Sequence, residues 1–193
     1  VEGVVPERLY RGLRALAPAP FMADLDLGDV RRLLSASPER FLSLSADGRA
    51  TSWPIKGTRP RAASDEEDAA LLRELLESRK EAAELAMIVD LVRNDIGRVC
   101  VPGSVDRQAQ LPAAAHPSVW HLVGEARGRL APGRDAFDLI RAAFPPGSCI
   151  GAPKVRAMQV LEELERSRRG PYTGALGWIG QDGASSLSVT IRT

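Results

Sequence analysis

Apolar and polar positions change period several times along the chain, and each change marks an expected element. Pro6 to Ala17 fits a short helix that Pro18 and Pro20 stop. Phe21 to Leu27 alternates as a strand, Gly28-Asp29 reads as a turn, and Val30 to Ala36 returns, which predicts a hairpin. Phe41 to Leu44 and Ala50 to Trp53 predict a second hairpin across Ala46-Asp47-Gly48, because Asp-Gly favours the tight turn. No Pro or Gly interrupts the helix formers from Glu66 to Ile96, and Ser64-Asp65-Glu66-Glu67 reads as a capping box at their start. Leu71, Leu72, Leu75 and Leu76 make a core face, and Gly97 is placed to cap the far end.

The second half alternates shorter pieces. Cys100 to Ser104 is turn-rich, Asp106 to Ala115 reads as a strand plus loop, and Val119 to Gly128 as one strand carrying His121. Asp135 to Ala143 predicts a helix with Phe137, Ile140 and Phe144 inward. Gly147 to Pro153 leads into another helix that runs to about Arg168, with Met158, Leu161 and Leu164 facing the core, and Gly170 ends it. Tyr172 to Ile179 and Ser185 to Arg192 close a hairpin over Gln181-Asp182-Gly183. Antiparallel strands packed against helices make the expected class α+β.

Composition narrows the function. The 193 residues are 44 % hydrophobic and 26 % charged, ordinary for a globular chain. A net charge of +1 gives no footprint for nucleic acid or an anionic membrane, and no apolar run reaches bilayer length. Cys100 and Cys149 have no metal or redox spacing; they permit one disulfide, but with no targeting signature in the sequence a reduced, cytoplasmic setting is expected. The chain starts at Val1 and stops at Thr193 directly after a strand-like run, so both ends read as cut.

Candidate chemistry sits at four places. Glu81, Glu84, Ile88, Leu91 and Asp95 lie along one stripe of the central helix. The two glutamates either sit at a wet rim or, if drawn inward, require a cation such as Mg²⁺. Glu39 stands in a polar corner between strands, as a solvated turn residue or as an acid. Lys56 lies in Pro54-Ile55-Lys56-Gly57-Thr58-Arg59-Pro60-Arg61, as a surface charge or, once desolvated, as a nucleophilic amine. Gly57 permits close backbone approach and Thr58 offers a hydroxyl. The glycine-rich run Gly147 to Pro153, including Gly151 and Ala152, is either a plain helix start or a set of N–H donors for a carboxylate. His121 reads as a structural residue or a substrate contact.

The ordered set PIKGTRPR, KEAAELAMIVDLVRNDIGRV, HPSVWHLV, FPPGS, GAPK, RGPYTGA and VTIRT resembles the chorismate-utilising enzymes. These include the large components of aminodeoxychorismate synthase and anthranilate synthase, and the isochorismate and salicylate synthases. The resemblance covers nearly the whole chain. It implies part of an anthranilate synthase component I-like layered β-sandwich with flanking helices, residues 1–193 being a partial chorismate-binding domain. By the same resemblance Glu84, with Glu81 beside it, would hold Mg²⁺. Glu39 would protonate the departing C4 hydroxyl, and His121 would orient the ring. Gly57, Thr58, Gly151 and Ala152 would touch substrate, while Tyr172 and Arg192 would hold the carboxylate of the enolpyruvyl arm.

Lys56 separates the branches: the aminodeoxychorismate type carries lysine there and the anthranilate type usually alanine. The lysine would add to ring carbon 2 and be expelled when ammonia, from a glutamine amidotransferase subunit or fused domain, adds at carbon 4. An anthranilate-forming enzyme and a non-catalytic chorismate-binding module are the alternatives. Two departures stand out: Ile150 replaces the usual hydroxyl residue before Gly151, and Gly124 replaces a common serine. The family's remaining metal-site glutamates and substrate loop have no counterpart, so these 193 residues alone are expected to be inactive and poorly soluble.

Overall fold

The computed structural model describes residues 5–28 and 31–193. Helix α1 (Pro6–Leu16) has Pro6 in its first turn, where a missing N–H leaves no bond unmade. Strands β1 (Phe21–Asp26) and β2 (Arg32–Ser37) form the first hairpin, while the expected turn at Gly28-Asp29, and Val30, lie partly outside the described residues. Strands β3 (Arg40–Leu44) and β4 (Arg49–Trp53) form the second, with Gly48 at φ 84° in the left-handed position that the Asp-Gly turn demands. Strand β5 (Ile55–Pro60) follows directly after Pro54.

The helical run is two helices, α2 (Asp65–Glu77) and α3 (Arg79–Gly97), which corrects the single uninterrupted helix expected from the lack of Pro and Gly. Ser78 makes the break. Its N–H donates to the Leu75 carbonyl at 3.4 Å, and its hydroxyl accepts from the Glu81 N–H at 3.4 Å. A serine that closes one helix and caps the next needs no glycine to do so. Ser64 caps α2 by accepting from the Glu67 N–H at 3.3 Å. Gly97 lies within the last turn of α3 and Arg98 caps it, so the expected glycine cap is not used.

Strands β6 (Asp106–Gln108), β7 (Ala114–Ala115), β8 (Val119–Val123) and β9 (Glu125–Arg129) come next, then α4 (Ala136–Ala143), α5 (Gly147–Ile150) and α6 (Lys154–Leu164). Strands β10 (Ala175–Ile179) and β11 (Ser185–Val189) pair as the last hairpin. Among the described residues the strands make three antiparallel sheets: β1-β2, a six-stranded sheet β10-β11-β3-β4-β9-β6, and a three-stranded sheet β5-β8-β7. The α+β expectation holds.

Two neighbouring strands change sheets at the same level. Strand β4 continues as β5 through Pro54, and β8 continues as β9 through Gly124, with the Gly124 N–H donating to the Pro54 carbonyl at 3.0 Å. The single strand expected from Val119 to Gly128 is therefore two, one in each sheet. Helix α3 lies across this crossing and buries Leu85, Ile88, Val89, Val92 and Ile96. Ile88, Val92 and Ile96 join Phe41, Leu42 and Leu139 in the main core; Leu85 and Val89 join Leu75 and Leu122 in a smaller one.

Two apolar faces point elsewhere than expected. In α4 the buried stripe is Ala136, Leu139, Ala142 and Ala143, whose small residues let the helix come close to its neighbours. Phe137 is 55 % exposed, and Phe144, edge-on to Phe41, is 47 % exposed. Helix α6 buries no residue, ends at Leu164 before the expected Arg168, and leaves Met158 and Leu164 exposed. Its periodic stripe is real, but α6 is anchored at its start. The Lys154 ammonium reaches the buried Asp95 carboxylate and, at 2.7 Å, the Ala143 carbonyl, and Asp95 also accepts from Arg98 at 2.8 Å.

The crossing tolerates no side chain at Gly124. A Cβ there would lie 2.2 Å from Val89 Cγ2 and 3.1 Å from the Ala109 carbonyl oxygen. Val89 is β-branched, in a helix and fully buried, so it cannot swing away. Gly124→Ser is expected to lower stability by about 1–3 kcal/mol. Adding Val89→Ala should recover part of that loss in urea unfolding; strict additivity of the two changes would show that the contact is not the cause.

Candidate active site

Three consecutive residues at the start of β5 reach three different neighbours. Gly57 adopts φ 78° and interrupts the pairing register of β5 with β8, so that Lys56 stands opposite Leu122 and Thr58 opposite His121. The Lys56 ammonium donates to the Ser148 carbonyl in α5 at 3.3 Å. Gly57 packs on α3: a Cβ there would fall 3.2 Å from Glu81 Cβ and 3.0 Å from Leu75 Cδ1. The Thr58 hydroxyl bonds His121 Nδ1 at 2.9 Å.

Glu39, in the corner between β2 and β3, is buried. Its carboxyl is pushed up to about 7, chiefly because burial disfavours the charge. The Ser148 hydroxyl, the Lys56 ammonium and the Ile55 backbone pull the other way, in that order. Desolvation wins, so the carboxyl is a proton donor close to neutrality. Lys56, Glu39 and Ser148 thus form one cluster.

His121 is buried, with Nδ1 also 3.4 Å from the Gly57 carbonyl oxygen. With its proton on Nδ1 the ring donates to the Gly57 carbonyl and offers Nε2 as an acceptor; with it on Nε2 the Thr58 hydroxyl donates to Nδ1, and in both cases Nε2 is unpartnered among the described residues. Burial lowers the imidazole pKa most; the nearby His116 ring and Arg192 lower it further, and the Gly57 carbonyl opposes them. The His116 and His121 rings meet edge-on with centroids 5.2 Å apart. Arg192, at φ 52°, lines with both histidines and Pro38 a space of only about 20 Å³, room for a single water.

The glutamates of α3 sit at its margin. Glu81 is half-buried with Arg59 at 3.8 Å, and Glu84 is 42 % exposed with Lys80 at 3.9 Å. The stripe buried by α3 is centred on Ile88, Val89 and Val92, which carries Glu84 to its edge. Among the described residues no three His, Cys, Asp or Glu side chains could hold a metal ion. Glu81 and Glu84 would supply one or two oxygen ligands to Mg²⁺, with water and substrate completing the near-octahedral shell. No step below is routed through the ion.

Gly151 adopts φ 105°, and its N–H closes α5 on the Gly147 carbonyl at 3.0 Å; the Cys149 N–H donates to the Pro146 carbonyl at 3.1 Å. Those two amides are engaged within the segment and drop out of the row of donors expected there. Ala152 is exposed. Tyr172, 54 % exposed, lines two cavities of about 490 and 720 Å³, the second with Ser148 and Cys149 in its wall. Ile150 lines the first beside Phe144 and Met158, making apolar a wall where a hydroxyl was expected. Ser148 is the site residue the sequence missed. It offers its carbonyl to Lys56 and its hydroxyl to Glu39, and a lone serine in a glycine-rich run does not announce either role.

A family model described as chorismate binding enzyme matches residues 2–193. The chain belongs to the chorismate-binding enzyme family. It is 48 % identical over 189 residues to anthranilate synthase component 1 of Streptomyces coelicolor, covering 97 % of this chain and 37 % of that protein. It is 49 % identical over 188 residues to aminodeoxychorismate synthase of Streptomyces pristinaespiralis, covering 97 % of this chain and 26 % of that protein. The crystal structure of anthranilate synthase component I from Streptococcus pneumoniae superposes with a TM-score of 0.86 at 39 % identity, over 97 % of this chain and 41 % of that one. The chain therefore spans between about a quarter and two-fifths of these relatives. No helix among its described residues is long and apolar enough to cross a membrane.

Burial of Glu39 gives a signed expectation. With its folded pKa near 7 and an unfolded value near 4.5, its contribution to stability is full below pH 4.5 and is lost as pH rises through 7. The loss amounts to roughly 3 kcal/mol. Glu39→Gln should remove that slope from urea unfolding measured between pH 4.5 and 8; an unchanged slope would mean that Glu39 ionises as freely in the fold as in water.

Proposed function

We propose that the full-length protein carrying this chain aminates chorismate at carbon 4, giving 4-amino-4-deoxychorismate. The carrying observation is Lys56, the residue that marks this branch, placed in one cluster with the acid Glu39 through Ser148. Glu39 carries the proton that the departing hydroxyl needs, and Lys56 adds as the free amine after giving its own proton to solvent. The amine forms a bond to carbon 2, both ring double bonds shift one position towards carbon 4, and the carbon–oxygen bond there breaks as Glu39 protonates the departing hydroxyl, which leaves as water. Ammonia then bonds to carbon 4, the double bonds return, and the bond from Lys56 to carbon 2 breaks. The sum is chorismate plus ammonia to the amino product plus water, with the enolpyruvyl arm retained.

His121 fits a part in positioning: its neutral ring, fixed by Thr58 and Gly57, presents Nε2, unpartnered among the described residues. Arg192 supplies positive charge beside it. A glutamine amidotransferase would deliver the ammonia. Cys100 and Cys149 are both unpaired, in keeping with a cytoplasmic setting.

The anthranilate-forming alternative is kept alive by near-equal identity, 48 % against 49 %, to the two kinds of relative. Mass spectrometry separates them, since anthranilate has lost the arm. With ammonium salt as nitrogen donor, Lys56→Ala in the full-length protein should lose most product, and Glu39→Gln about 10²- to 10⁴-fold in rate. Wild-type turnover by Lys56→Ala would remove the assignment.

A further inference from the structure

The cavities of about 490 and 720 Å³ adjoin, and Arg169 lines both together with Arg166, Tyr172 and Thr173. Arg169 is held rather than loose. Its Nε and Nη2 donate to the Glu165 carboxylate, Nε at 3.0 and 2.9 Å, and its Nη1 donates to the Thr173 hydroxyl at 3.1 Å. Thr173 is itself fixed: it is buried, sits at φ 61°, and its N–H donates to the Thr190 carbonyl at 2.8 Å.

A guanidinium has five N–H donors, and these bonds use three, one each from Nε, Nη1 and Nη2. One N–H on each terminal nitrogen remains, the spacing at which a planar carboxylate is taken by two parallel bonds. Glu165 neutralises the other edge and aims the fork. Ser148, whose carbonyl accepts from the Lys56 ammonium, stands with Cys149 in the wall of the larger cavity, so one residue borders both the fork and the Lys56 cluster. The Cys149 thiol, raised mainly by burial and then by Glu39, is pulled down by Lys56 and Arg169, so all three charges act on one locus.

We propose that Arg169 is a substrate-anchoring residue, whose free edge binds a carboxylate of the dianionic ring substrate while Lys56 and Glu39 act on the ring. The assignment rests on the chorismate reading above. Arg169 then sets affinity: it holds a group that does not change during the reaction, so its contribution is equal in the ground and transition states.

The test is steady-state kinetics of the full-length protein on chorismate with saturating ammonium. R169Q should raise KM about 10- to 100-fold, the worth of a charge-assisted bond pair, with kcat within about 3-fold of wild type. R169K, which keeps the stem and charge but replaces the fork by a point ammonium, should lie between. Unchanged KM in either variant, or a loss confined to kcat, overturns the anchoring role while leaving the amination reading intact. If R169Q fails to fold by circular dichroism, R169K decides by the same criterion. A wild-type protein that converts no chorismate overturns both.

Discussion

The structure depends on how closely α3 can approach the place where two strands change sheets. Gly124 and Pro54 bring β8/β9 and β4/β5 through the same level, and Val89 fills the space a side chain at Gly124 would need. That contact fixes the height of β5 against α3. Because Lys56, Gly57 and Thr58 follow Pro54 within a few residues, it also fixes where each reaches: Lys56 to α5, Gly57 to Glu81, Thr58 to His121. One steric constraint thus sets where the amine and the Thr58-bound imidazole each stand, and van der Waals exclusion is a stiffer device for this than surface ion pairs.

The site is a contest between burial and partners. At Glu39 burial outweighs the Ser148 hydroxyl and the Lys56 charge, and the carboxyl keeps its proton near neutrality. At Asp68 the balance reverses: the Arg61 guanidinium, the Ala62 N–H and the Trp120 indole hold its carboxyl down at about 2. The two acids share a chemistry and differ in which influence is largest: burial at Glu39, the bonded Arg61 guanidinium at Asp68. Asp68 is a fastener for the Arg61-Trp120 stack, whose guanidinium carbon lies 4.3 Å from the ring centroid, and Glu39 is the acid free to give up a proton.

Local chemistry made much of the fold legible. Asp47-Gly48, Pro6 and Ser64 each act within a few residues of themselves, and each does what its type predicts. What stayed hidden depends on the partner layer. Ser78 sits between runs of equally good helix formers, so only its bonds reveal the break. Val119 to Gly128 reads as one strand because alternation does not report a change of sheet. Phe137 and the stripe of α6 show periodicity without saying which side meets a neighbour. In the site, Glu39, Lys56 and His121 stood out by family motif; Ser148 and the Glu165-Arg169-Thr173 clamp act through a carbonyl, a hydroxyl and a fork whose geometry no residue name encodes.

One tie has a kinetic consequence. The Ala36 N–H donates to the Arg192 carbonyl at 3.0 Å, and the Ser35 and Thr193 hydroxyls meet at 2.7 Å across 158 positions of sequence. Contacts between such distant segments form after local ones, since the intervening chain must first surrender its freedom. The helices and the Asp-Gly hairpin can therefore assemble well before Arg192 is seated beside His121. The position of Arg192 beside His121 thus hangs on a late-forming contact, and loosening of β2 would release it.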